Sequence, residues 1–182
     1  MITFKSSFVN NVNIQRISSQ GIVEHKASIV ELDKNSEADY NIVRDIGLSW
    51  SDGKSFAGAI FNNFVAEKLN FYGPNSPKSK YFILSKNPEG LNNSDEALGV
   101  LSIMPIDKNR FFIPFMQVKP EHTHNSAVRE FISVGEKLLD AVLHKYNNFD
   151  FKLYLANNNV EKFFEILNFK KELNKHSMVL KR

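Results

Sequence analysis

The sequence predicts an α+β (mixed α/β) fold: a central mixed, mostly antiparallel sheet flanked by helices, with one parallel strand–helix–strand crossover. Three observations predict it. Leu98 to Ile106 and Arg110 to Val118 are apolar runs joined by the turn Asp107-Lys108-Asn109, an antiparallel hairpin in pattern. Val128, Phe131, Ile132, Gly135, Leu138, Leu139, Val142 and Tyr146 then recur at helical spacing on one face. The apolar stretch Phe151 to Leu155 follows, and a strand–helix–strand unit of this kind closes as a right-handed crossover with parallel strands.

The elements read in order as follows. Residues 1–21 are an N-terminal extension or extra strands, with Val12 and Ile14 alternating with Asn13 and Gln15 before the turn Ser18-Ser19-Gln20-Gly21. Ile22-Val23 and Ala27 to Leu32 form a second strand. Ser36-Glu37-Ala38-Asp39 opens a helix with acidic residues in its first turn, where the helix dipole favours them. Residues 40–72 carry two helices separated at Ser51-Asp52-Gly53. Trp50, Phe56, Phe61, Phe64 and Phe71 serve either as helix-face core or as the lining of an acceptor pocket. Lys80 to Ser85 is a short strand. Pro114 has no N–H to give a ladder, so it belongs at a bulge or where its strand leaves a neighbour. Ser126 is the expected N-cap of the long helix, and Gly135 on its apolar face implies close packing. The helix Val160 to Leu167 and strands around Lys170 to Leu173 and Ser177 to Leu180 close the chain.

The 182 residues suit one domain, 1–182, in which residues 80–182 are the half with the clearest pattern. The net charge of +3 arises at the end of the chain: residues 151–182 carry seven Lys/Arg against three Asp/Glu. That excess is too mild for a nucleic-acid surface. The chain has no Cys, so thiol chemistry is excluded. No apolar run reaches membrane-spanning length, and the expectation is a cytoplasmic protein without a membrane role. His122, His124 and Glu121 lie close in sequence, but no distant third ligand joins them, and no metal is assigned.

Two phrases carry a resemblance. Val118-Lys119-Pro120-Glu121 ends a strand, and Leu155-Ala156-Asn157 precedes Val160 and Phe164, with Phe163 and Phe169 following the same pattern. Together they resemble the acyl-CoA-binding half of the GNAT superfamily of N-acetyltransferases, over residues 80–182. The resemblance implies a single GNAT-like domain that transfers an acetyl group from acetyl-CoA to the amine of a small-molecule or peptide acceptor. In the family a Gln/Arg-x-x-Gly-x-Gly/Ala loop after the strand grips the pyrophosphate. In the ungapped register, which is preferred, His124, Asn125, Ser126 and Arg129 take that place. In a shifted register Ser133-Val134-Gly135-Glu136-Lys137-Leu138-Leu139 mimics Gly-x-Gly-x-x-Leu-Leu.

The resemblance further implies that backbone at Met116 polarises the acyl carbonyl. Backbone at Val118 pairs with pantetheine, and Asn157 and Phe164 contact the cofactor. Phe164 stands where the family usually has a tyrosine acid, so Tyr81, Glu121, His122 and Tyr154 are the candidate proton carriers, of which Tyr81 and Glu121 are preferred. The alternative is a catalytically degenerate GNAT-fold binding or interaction module. An exposed sheet edge at the C-terminus is where a homodimer would form.

Overall fold

The computed structural model describes residues 6–50, 56–123, 126–155, 160–172 and 176–182. A long hairpin opens the chain: β1 (Ser7–Ser18) and β2 (Gly21–Glu31) pair antiparallel from Ser7↔Glu31 to Ser18↔Gly21. α1 (Glu37–Ser49) begins at Ser36, whose hydroxyl accepts from the Asp39 N–H as an N-cap does. α2 (Ala57–Lys68) follows, then the meander β3 (Lys80–Ser85), β4 (Ala97–Asp107) and β5 (Arg110–Val118). The remaining elements are β6 (Phe131–Ile132), α3 (Val134–Lys145), β7 (Asp150–Tyr154), α4 (Glu161–Ile166), β8 (Lys170–Lys171) and β9 (Ser177–Leu180).

These strands form one sheet in the order β6-β1-β2-β3-β4-β5-β7-β9-β8. Every neighbouring pair is antiparallel except β5–β7, which is parallel and bridged by α3. The mixed, mostly antiparallel sheet and its single crossover are as the sequence predicts. Among the described residues no helix is long and apolar enough to cross a membrane.

The centre of the sheet is buried on both faces, and β3 shows how the alternation of side chains achieves it. Tyr81 and Ile83 pack with Ile46, Trp50, Ile60 and Phe64 under α1 and α2. Phe82 and Leu84 pack with Leu138, Leu139, Val142 and Phe151 under α3. Trp50 and Phe64 are thus core, whereas Phe71 is exposed and Phe56 borders the cavity described below.

The long helix begins later than the sequence implies. Its N-cap is Ser133, not Ser126, and α3 starts at Val134. Val128 stands in a turn, mostly exposed. Phe131 and Ile132 are extended and pair with Arg16 and Gln15 of β1. The reason is local competition: β1 offers a free edge, and Ile17 N–H also donates to the Glu130 carbonyl at 2.7 Å. Two residues that would sit on a helical stripe are captured as a strand instead. Ser126 caps no helix; its hydroxyl accepts from the Val128 N–H within the turn.

α4 ends in a Schellman motif. Phe169 N–H donates to the Phe164 carbonyl and Asn168 N–H to the Glu165 carbonyl, with Asn168 left-handed at φ 67. Asn168 stands where the resembled family has Gly, and it is one of the few residues that tolerate this conformation.

Candidate active site

The parallel β5–β7 pairing runs only from Arg110↔Asp150 to Ile113↔Leu153. At Pro114 the strands part. The β4–β5 register shifts at the same place, so that Ile113 and Pro114 together span the step between Phe112 and Phe115 while β4 offers only Ile103. This is a bulge that turns the strand, and a proline is tolerated there because no ladder needs its missing N–H. Beyond it, Lys119 N–H donates to the Leu98 carbonyl at 2.8 Å. In an antiparallel ladder the amides alternate in direction. Phe115 and Gln117 therefore face β4, and the Met116 and Val118 amides turn toward the opened side.

A cavity of about 510 Å³ fills this opening. Its walls are Met116 and Val118 from β5, Val134 and Gly135 from α3, and Phe163 and Phe164 around α4. Gly135 is what leaves the space. A Cβ built there would lie 2.9 Å from Met116 Cε and 3.2 Å from Val118 Cγ2. One end of the cavity is polar, bordered by His122, Thr123, Arg129 and Ser133; at another Phe56 and Tyr154 stand at its rim.

The polar end is the start of α3. Ser133 sits at φ 60 and makes no side-chain cap, so the first N–H groups of the helix are not taken by a capping oxygen. Free amides and the positive end of the helix dipole suit an anion. The left-handed Ser133 costs roughly 1 kcal/mol that a glycine would not. Ser133→Gly is accordingly expected to raise unfolding stability by about that amount, measured by urea denaturation. A valine there is expected to lower it.

His122 is 5% exposed, closes against the Phe131 ring edge-on at 5.2 Å between centroids, and holds Nε2 3.5 Å from Glu121 Oε1. Its Nδ1 has no hydrogen-bond partner among the described residues. Burial pushes the imidazole below its ordinary value despite the neighbouring Glu121 carboxylate. Because the folded state resists the charged form, the unfolded chain binds more protons in the window just below about pH 6.5. Stability is therefore expected to be full above that pH and to fall on acidification through it. His122→Phe should flatten this part of the profile in denaturant titrations between about pH 5 and 7.5.

No protein-family model matches the sequence, and no curated protein does. Solved structures are similar over most of their length. The acetyltransferase of the GNAT family from Staphylococcus aureus Mu50 superimposes with a TM-score of 0.52 at 14% identity, covering 84% of this chain and 97% of that one. The Campylobacter jejuni N-acetyltransferase PseH gives 0.50 at 15%, covering 85% and 98%. A tyrosine-to-phenylalanine mutant of the toxin AtaT, bound to the C-terminus of the antitoxin AtaR and to acetyl-CoA, gives 0.50 at 14%, covering 85% and 92%. The chain has the GNAT fold.

Seen in that fold, the residues expected at the site divide into three groups. Met116, Val118, Arg129 and Phe164 border the cavity. Arg129 is anchored there by its Nε, which donates to the Phe131 carbonyl at 3.1 Å. His124, Asn125 and Asn157 lie outside the described residues. Ser126, Tyr81 and Glu121 do not border the cavity. Tyr81 is fully buried in the layer under α1 and α2, where its hydroxyl accepts from Asn63 Nδ2 at 2.7 Å. Burial and the nearby Glu67 carboxylate push its phenol well above the usual range. Glu121 pairs with Lys119 at 2.8 Å, which holds its carboxyl below the usual carboxylate range.

The helix that opens on the cavity starts at Ser133-Val134-Gly135-Glu136, the shifted register, not at Ser126. Its signal was the Gly-x-Gly-x-x-Leu-Leu mimic, with Ser133 in the left-handed glycine position. His122 and Tyr154 are the candidate proton carriers that do reach the cavity.

Proposed function

We propose that this protein transfers an acyl group from acetyl-CoA to an amine. One observation carries the reading: β5 leaves β7 at Pro114 and the gap opens directly onto the uncapped start of α3. The residues fit the cofactor's chemistry. The free amides of Met116 and Val118 offer an edge for an amide-bearing arm, pairing as an added strand does. Gly135 leaves room beside that edge. The α3 N-terminus and Arg129 suit phosphate. When bound, acetyl-CoA supplies a thioester carbonyl.

In this reading the Met116 N–H donates to the developing oxyanion. The amine nitrogen bonds to the acyl carbon, the carbon–sulfur bond breaks, the amine loses a proton and the thiolate gains one. Phe164 has no hydroxyl to give. Tyr154, at the rim, is the residue assigned to protonate the sulfur, and His122, neutral through burial, the residue assigned to take the amine proton through water.

A second reading, a GNAT-fold module that binds without turnover, is favoured by Phe164 itself. That ring is committed to the helix closure, 5.7 Å from the Phe169 ring. One experiment separates the two. Acetyl-CoA at about 100 times its dissociation constant should stabilise the protein by roughly 2.7 kcal/mol. Release of CoA with an amine supports the enzyme; stabilisation without release across an amine panel supports the module. No stabilisation at millimolar acetyl-CoA sinks the enzyme reading.

A further inference from the structure

The cavity is lined from both faces of the sheet, by Val134 and Gly135 of α3 on one and by Phe56 at the start of α2 on the other. Phe151 and Leu153 pack into the core under α3. Alternation therefore turns Tyr154 to the opposite face of the sheet, the face that α1 and α2 cover elsewhere. Its ring lies edge-on to Phe112 with centroids 5.3 Å apart and is 62% exposed. Across the gap, Phe56 stands at the start of α2, 6.2 Å from the Phe115 ring and 41% exposed. The Phe56 N–H is tied to Gln117 Oε1 at 3.3 Å, which holds that side of the mouth to β5.

What sets these two rings apart from the other exposed aromatics, Phe8, Phe71 and Tyr72, is that both border one cavity, where they offer a ligand flat apolar surface. The charged groups on this face do not invite a polycation. Lys152 is placed over the Tyr154 ring, with Nζ 5.6 Å from its centroid. The nearby Glu172 carboxylate is engaged by Lys152 at 2.8 Å and by the Ser177 hydroxyl. Among the described residues that line the cavity, the carboxylate is Glu136, on α3 at the other end.

Resting on the acyl-transfer reading above, we infer that the acceptor is a monoamine with an aromatic or similarly flat apolar body, seated between Phe56 and Tyr154. The aromatic body stacks or meets the rings edge-on. Its single amine nitrogen enters the cavity, away from the Lys152 ammonium that already lies over the Tyr154 ring, and loses its proton there. A di- or polyamine would bring a second positive charge beside the Lys152 ammonium, which lies over the Tyr154 ring.

The test compares two probes, 2-phenylethylamine and 1,5-diaminopentane, by titration calorimetry into protein saturated with CoA. The aromatic amine is expected to bind at least about fivefold more tightly. Tyr154→Phe should keep that preference and Tyr154→Ala should erase it. Equal or tighter binding of the diamine, or a preference unchanged in Tyr154→Ala, overturns the inference. Thermal stabilisation by acetyl-CoA is measured alongside. If it is present and the aromatic preference is absent, this inference alone fails; if acetyl-CoA does not stabilise the protein, the acyl-transfer reading falls and takes the inference with it.

Discussion

Gly135→Val is expected to reduce acetyl-CoA affinity by at least about tenfold, or ~1.4 kcal/mol, while leaving the fold intact. The reasoning is steric. The first atom added at Gly135 already lies inside van der Waals contact with Met116 and Val118, 2.9 and 3.2 Å away. Met116 Cε is the tip of a flexible side chain and swings aside, but Val118 is β-branched and held in the β4–β5 ladder. The two further methyl groups of a valine therefore have one place to go, the cavity between β5 and α4. Overpacking of this kind costs typically 1–3 kcal/mol, so unfolding stability is expected to drop by about the lower end of that range. Titration calorimetry with acetyl-CoA, with circular dichroism to verify folding, checks both. Gly135→Ala should lie between, because Met116 can absorb most of one methyl.

Glu67→Ala is expected to be the most damaging single change to stability, by about 3–5 kcal/mol. Glu67 sits in α2 with its side chain 3% exposed, paired with Lys34 at 2.7 Å. It also accepts from the Ser79 N–H and from Asn63 Nδ2. Burial alone would push the carboxyl up; Lys34 and Ser79 outweigh it and hold the carboxyl below its usual range. Removing the carboxylate leaves a largely buried ammonium with only the Ser79 carbonyl, at 2.9 Å, to accept from it, and a buried Ser79 N–H that has lost its acceptor; each is costly. Because the folded value is depressed, the stabilisation is full above about pH 4.5 and is lost as the pH falls through the folded value. Denaturant unfolding of wild type, Glu67→Gln and Glu67→Ala measures it. The glutamine variant should fall between, since it still accepts from Ser79. An effect below about 1 kcal/mol for alanine would mean the network is far more solvated than its burial implies.

The elements that follow from local pattern were legible in the sequence. The hairpin of β4 and β5, the Ser36 cap and the short strand Lys80–Ser85 are fixed by apolar alternation, turn chemistry and capping, all of which act within a few residues. Pro114 was legible in a stronger sense: its missing N–H forbids a ladder, and it stands where β5 parts from β7. What the sequence hid was set by distant partners. Phe131 and Ile132 have the spacing of a helix face, yet the free edge of β1, more than a hundred positions away, draws them into a strand. That one capture moves the start of α3 from Ser126 to Ser133, and with it the uncapped helix end that borders the cavity.

Tyr81 was hidden for a similar reason. In a strand whose two faces are both buried, nothing local says which layer a side chain enters, and β3 sends Tyr81 away from the cavity. Tyr154 and His122 reach it because β7 ends at the splay and because the turn after β5 folds back onto Phe131.

The central claim is that acetyl-CoA occupies the opening between β5 and β7. Backbone amide NMR of the 20.9 kDa protein, titrated with acetyl-CoA, tests it most directly. The account predicts shifts concentrated at Met116, Val118 and Ser133 to Glu136, with Tyr81, Phe64 and the β1–β2 hairpin tip unmoved. Saturating acetyl-CoA that leaves Met116, Val118 and Gly135 unshifted, or that perturbs the α1–α2 layer instead, would contradict it.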